Sequence, residues 1–280
     1  MGRKRTLNTP NNIDKLIKEG RGQGEGPLYK PWLNARAKTN KSYTDRTKGW
    51  KTGRVHHFLS NLEFNYFLTL EWSPYVIDIR EQYPLLPIER TIKIAESLGI
   101  DHPYLDGEYK VMTTDFLITL QTPEGIKQVV RTIKSENDLD TRQIDKFEIE
   151  RVFFLEQGIT DWCIVTDRNV NLNIVKNIEW LHDAKDLDLR NDLEQNSVDR
   201  IAKLLLQEIN KRERGLAKIT SEFDEKLGLE PGTSLFVVRH LLANKNWLTD
   251  ITSEKINPSG ILICKESVSQ KGSDFIATNF

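Results

Sequence analysis

The stretch MTTDFLITLQTPEGIKQVVRTIKSEN, residues 112–137, constrains the fold of this chain more than any other. Two segments of alternating apolar and polar residues, 111–121 and 126–134, flank a TPEG turn. Pro and Gly break any helix there, and the period on either side is that of a strand. An antiparallel hairpin in the middle of the chain excludes an all-helical fold. Around it, SNLEFNYFLTLEW (60–72) reads as a helix with Leu62, Tyr66, Phe67 and Leu70 on one face. YVIDIREQY (75–83) alternates as a strand, and PLLPIERTIKIAESLGI is a proline-bounded connector with a short helix. Residues 141–158 form a helix that stops at Gly158, followed by a buried strand, ITDWCIVT (159–166). The order α, β, β, β, α, β predicts an α/β fold, a mixed sheet flanked by helices.

The ends of the chain differ from this centre. Residues 1–54 are polar and basic, with fourteen Lys/Arg against Asp14, Glu19, Glu25 and Asp45. The Gly- and Pro-rich GRGQGEGPLYKPWL within them excludes regular structure, yet Leu28, Tyr29, Trp32 and Leu33 need a surface to pack on. An extended basic arm laid over the body is expected, and its charge suits a polyanion. Around 168–195 the composition turns polar and acidic, so 169–195 reads as a linker. Beyond it come an amphipathic helix (198–210), two more helices separated by Glu-Pro-Gly, and a strand–turn–strand. Three helices and a hairpin are the layout of a winged helix. The expected organisation is therefore an arm (1–54), a catalytic domain (55–168), a linker (169–195) and a winged-helix domain (196–280). No run reaches the roughly 20 apolar residues of a membrane span, and the N-terminus has no apolar signal core. Cys163 and Cys264 are isolated, in segments that read as strands, which suits a reducing cytoplasm.

The hairpin carries Asp115 near the start of one strand and Lys134 at the end of the other. If the chain folds about residues 123–125, position 115 lies opposite about 133–134, and the two charges become neighbours at the sheet's mouth. A carboxylate and an ammonium in a cleft can hold Mg²⁺ and activate water. The same pair is also an ordinary surface ion pair, worth at most about 1 kcal/mol. Glu63 is a third candidate; SNLE is equally a capping box, with Ser60 as N-cap and Glu63 reaching back. His56 and His57 are adjacent on an extended segment, so they point to opposite faces and suit packing or phosphate contact better than chelation.

Several blocks resemble the TnsA family, the endonuclease subunits of heteromeric cut-and-paste transposases, within the restriction-endonuclease-like PD-(D/E)xK nucleases. They are EGRGQGEGPLYKPWL (19–33), KTGRVHHFLSNLE (51–63), DIREQYPLLP (78–87), MTTDF (112–116), IERVFF (149–154) and NIEWL (177–181). The resemblance implies a restriction-endonuclease-like sheet followed by a winged-helix C-terminal domain. It implies Glu63 and Asp115 as acidic metal ligands, Lys134 as the catalytic lysine, and the backbone carbonyl of Ile133 as a further ligand to Mg²⁺, two ions per site. Thr132 departs from the pattern: the wider superfamily has Asp or Glu there and TnsA proteins can carry Gln. A neutral hydroxyl is a weak ligand, which weakens the case for the second ion more than for the first.

The resemblance also implies partners: transposon-end DNA, a TnsB-like DDE transposase that cuts the 3′ ends, and a TnsC-like AAA+ ATPase that docks on the C-terminal domain. Cutting of the 5′ ends would fall to this chain, in the cytoplasm of a prokaryote and on its nucleoid. The third C-terminal helix, 233–247, offers only Arg239, His240 and Lys245 as basic candidates, sparse for reading DNA bases. Arg21, Tyr29, Lys30, Trp32 and Arg54 of the arm are the better DNA or partner contacts. A catalytically inactive adaptor between transposase and ATPase, and a stand-alone nuclease, are the competing readings.

Overall fold

The computed structural model describes residues 10–33, 45–105, 107–190 and 193–267. The chain divides into two compact units, 1–170 and 171–280. In the first, α1 (Pro10–Lys18) precedes a small hairpin, β1 (Asp45–Lys48) and β2 (Val55–Phe58). Then come α2 (Asn61–Trp72), β3 (Val76–Pro84), α3 (Ile88–Leu98), a second small hairpin of β4 (Tyr104–Leu105) and β5 (Glu108–Tyr109), β6 (Thr113–Thr122), β7 (Gly125–Ile133), α4 (Thr141–Glu156) and β8 (Trp162–Val165). The main sheet has the order β3-β6-β7-β8; β7 and β8 are parallel and the other neighbours antiparallel. It is the mixed sheet flanked by helices that the element order predicts.

Strand alternation builds a core on each face. Phe116 meets Phe58 and Tyr66 on the α2 side, where Phe58 and Phe67 approach to 4.7 Å between ring centroids. Its neighbour Leu117 packs with Leu85, Ile94, Val130, Ile149, Phe153 and Phe154 under α3 and α4. Each fully buried aromatic or aliphatic side chain contributes about 1.5–3 kcal/mol, so α3 and α4 are held by burial more than by helix propensity. The helix α2 is buried around most of its circumference: Glu63, Phe64, Leu68 and Glu71 are enclosed along with Tyr66, Phe67 and Leu70. The single apolar face expected from its periodicity is too narrow a description, because β2 and the sheet both cover it.

Three expectations are corrected here. The turn of the β6–β7 hairpin is only Pro123–Glu124, since Thr122 pairs with Gly125. Phe116 is therefore opposite Arg131, where the ladder ends, and Asp115 just beyond it reaches Ile133 N–H, within the expected 133–134. The strand expected to be buried, β8, lies at the edge of the sheet with Cys163 exposed, and Cys264 lies outside any strand. The described part of the arm, 10–33, is laid over the body as expected, within the first unit. Leu16 and Trp32 pack on Val111, Tyr29 donates its hydroxyl to the Glu81 carbonyl at 3.0 Å, and Gly22 lies against the Pro84 ring. These contacts cover the free edge of β3, the other end of the sheet, and so protect unpaired backbone. Leu28 alone of the four expected apolar anchors stays 77% exposed.

The second unit contains α5 (Leu172–His182), α6 (Gln195–Ile209), α7 (Leu216–Leu227), α8 (Thr233–Ala243) and the short pair β9 (Trp247–Leu248) and β10 (Lys265–Glu266). The expected linker 169–195 is not one. Within it α5 buries Val175, Ile178 and Leu181, and buried Asn177 donates to the carbonyls of Ile251 and Glu254 and accepts from Ile256 N–H. The acidic composition that suggested a linker belongs to the exposed positions of a packed segment. Among the described residues no helix is long and apolar enough to cross a membrane.

Candidate active site

The helix α2 starts where Ser60, in extended backbone, accepts the Glu63 N–H at 3.1 Å. This capping turn points the Glu63 side chain back over the helix N-terminus. There Oε1 accepts from the Ser60 hydroxyl at 3.0 Å and Oε2 from Leu59 N–H at 2.9 Å. Oε2 also accepts from the Gln82 amide at 3.3 Å. The cap and the site are thus served by the same carboxylate, one oxygen turned to each, with Oε2 shared.

Asp115 arrives from the sheet. Its Oδ2 accepts the Ile133 N–H at 2.7 Å, and its Oδ1 accepts from the same Gln82 amide nitrogen at 3.2 Å. One buried nitrogen therefore gathers Glu63 from α2 and Asp115 from β6. Ile133, expected to offer its carbonyl, is bonded through its N–H to Asp115, and Lys134 follows it directly as β7 ends. Among the described residues the Lys134 ammonium has no hydrogen bond or ion pair, so the surface ion pair with Asp115 does not form. Thr132 turns elsewhere: its hydroxyl donates to Glu150 and lies 3.3 Å from the Thr114 hydroxyl. It is not aimed at Asp115 or Glu63, which removes it from the donor set.

The chemistry of that set fits Mg²⁺. Two carboxylates converge on a single small donor group, with a backbone strand end beside them, and Mg²⁺ is commonly held by one or two carboxylates plus water and substrate phosphate. Among the described residues no group of three or more His, Cys, Asp or Glu clusters as a metal site. A cation here would depend on two carboxylates and neutral oxygens.

Behind the site lies a buried ionic network. Arg54 donates both guanidinium nitrogens to Glu81, and His56 Nδ1 and Thr52 extend the chain of bonds, at 2.9 Å to Glu81 and 2.7 Å between Nε2 and the Thr52 hydroxyl. Burial alone pushes the Glu81 carboxyl up, but His56 and Arg54 outweigh it and hold the pKa at about 2. Burial pushes the His56 pKa down against the pull of Glu81, and the ring packs on Phe67 at 4.6 Å between centroids. His57 faces the other way and lines an open pocket of about 420 Å³ with Glu19, Arg21, Lys30 and Pro31. On the far side of Thr132, burial pushes Glu150 up to about 7; Thr132 and Trp162 donate to its Oε1.

Three of the expected arm contacts are corrected by burial. Tyr29 and Trp32 are each 2% exposed, and the Arg54 side chain is spent on Glu81 and on the Tyr29 ring. Arg21 and Lys30 remain at the surface, tied to Glu19 and to arm carbonyls. In the second unit Arg239 lies over the Trp180 ring and donates to its carbonyl, and buried His240 meets the Ala184 carbonyl. Sequence reasoning missed Gln82, Glu81 and Glu150. The available signal was weak: a run of three polar residues, REQ, in a strand otherwise alternating.

Comparison with known proteins places both units. Residues 73–167 match the family described as TnsA-like endonuclease N terminal, and residues 169–251 match TnsA endonuclease C terminal. The chain is 38% identical over 237 residues to the transposon Tn7 transposition protein TnsA of Escherichia coli, covering 83% of each.

Proposed function

The chain belongs to the TnsA endonuclease family, and on that premise we propose that it is a Mg²⁺-dependent DNA endonuclease that cuts the 5′ ends of a transposon within a heteromeric transposase. The observation that carries this reading is the convergence of Glu63 and Asp115 on one amide nitrogen, beside the end of β7 where Lys134 stands. Glu63, Asp115 and the Ile133 carbonyl would hold the ion, which would offset phosphate charge and acidify water in the site. Lys134, whose ammonium has no hydrogen bond or ion pair among the described residues, orients the attacking water and stabilises charge developing on the phosphoryl oxygens. In-line attack by that water leaves 5′-phosphate and 3′-hydroxyl ends. With Thr132 committed to Glu150, a second ion has no side-chain ligand of its own at that position.

The remaining roles follow from which surfaces are available. Arg21 and Lys30 of the arm line an open pocket with Glu19, Pro31 and His57, and are its contacts for DNA phosphate. We read α6, α7, α8 and the β9–β10 pair as a winged helix used for protein docking. Its α8 is interior, with nine of eleven residues buried, so it has no face to lay in a groove. Docking of a AAA+ ATPase suits this unit, and a DDE transposase supplies end recognition. The place of action is the cytoplasm, on nucleoid DNA.

The test is strand-specific cleavage at transposon ends with the transposase partner and Mg²⁺, comparing wild type with Lys134→Ala. Loss of the 5′ cuts alone is expected, by a factor of at least roughly 100. Equal 5′ cutting by both proteins returns Lys134 to an ordinary strand end. No 5′ cutting by either favours the adaptor.

A further inference from the structure

Gln82 stands out on three independent grounds. It is a non-glycine residue with φ of 49° inside β3, a conformation that persists only where the surroundings impose it. It is 2% exposed, and its Nε2 spends its two N–H donors on Glu63 and Asp115. Its carbonyl, turned the other way, accepts Trp32 N–H from the arm at 3.2 Å. In the β3–β6 ladder Glu81 lies opposite Phe116 and Tyr83 opposite Thr114, which sets Gln82 across from Asp115.

An ordinary strand conformation at this position would not require a rare backbone, and the alternation would be kept. The strained one sends the amide to the two carboxylates and the carbonyl to the arm. Two carboxylates drawn to one point repel each other when ionised. A neutral group with two donors offsets that repulsion without adding charge and holds the pair at a set separation. We propose that Gln82 is a positioning residue: its amide holds Glu63 and Asp115 in the arrangement that receives the divalent cation, and Trp32 of the arm holds Gln82 in the backbone conformation this needs. The assignment rests on the metal-site reading above. It also gives the buried arm a function, since the arm's grip on β3 reaches the site through one residue.

The test is calorimetric titration of the full-length protein with MnCl₂, without DNA or partner, beside thermal unfolding of each variant. Gln82→Asn tolerates positive φ but is one methylene too short to reach both carboxylates; Gln82→Gly removes the strain and the amide together. Both are expected to unfold cooperatively and to bind Mn²⁺ roughly 10- to 100-fold more weakly than wild type. Asp115→Asn is the control for the site itself. Wild-type Mn²⁺ affinity in either folded variant overturns the role of Gln82 and leaves the metal site standing. Absence of Mn²⁺ binding by wild type, or binding unaffected by Asp115→Asn, sinks the metal site and the Gln82 role with it. Failure of both variants to fold makes Gln82 a folding residue and overturns the proposal as well.

Discussion

Glu150 and Thr132 show how a hydroxyl and a buried carboxyl settle each other's chemistry. With a hydroxyl at 132, that position donates to Glu150, which sits fully enclosed with its pKa pushed up to about 7 by burial. A carboxyl whose folded pKa is raised contributes no penalty below its unfolded value, and its cost grows as the pH rises through the folded one. Stability from this group is therefore present near pH 4.5 and lost through about pH 7. Glu150→Gln keeps an acceptor for Thr132 and Trp162 but cannot ionise. Urea unfolding at pH 5 and pH 8 should show a smaller loss in the variant, by on the order of 1–3 kcal/mol. A loss equal to that of wild type would mean that Glu150 is ionised throughout at little cost. At this scale Glu63, Asp115 and Lys134 could be named as candidates from the capping turn, the hairpin and the family resemblance together, and the structure draws Glu63 and Asp115 to one amide nitrogen. Gln82 could not, because an amide in a strand has no meaning until its backbone angle and its two partners are known.

At the scale of elements, the hairpin, α2 and α4 follow from turn residues, a capping serine and apolar spacing, all local. Their register and environment do not. The two-residue turn decides which residue Asp115 faces, and the arm decides that β3 is buried at its free edge. The arm's seat can be tested at two glycines. Gly22 has φ of 72° and a Cβ there would run into the Pro84 ring, whereas Gly26 has φ of 53° and open space around it. Gly26→Ala pays only the backbone term, about 1–2 kcal/mol. Gly22→Ala should cost more, and hydrogen exchange at Trp32 N–H and along β3 should speed up in that variant alone. Equal exchange in the two variants would show that the arm does not depend on this contact.

For the molecule as a whole, the division at 170/171 and the family matches ending at 167 and beginning at 169 assign α5 to the C-terminal unit. A fragment starting at 171 contains Asn177, Trp180 and Leu181, which satisfy or cover α8 and the 251–256 loop. A fragment starting at 196 leaves those groups open. Residues 171–280 expressed alone should melt cooperatively by circular dichroism, and 196–280 should not; a cooperative 196–280 would restore the linker. The sequence by itself determined the helices and main strands from 60 to 166, the helices beyond 196 and the chemical candidates, since capping, turn geometry and periodicity act within about a dozen residues; α5 and the two small hairpins escaped it. Only the tertiary structure decided which oxygen meets which nitrogen. The partners of Gln82 lie 19 and 33 positions away in the chain, and their meeting depends on the packing of a helix, two strands and an arm together.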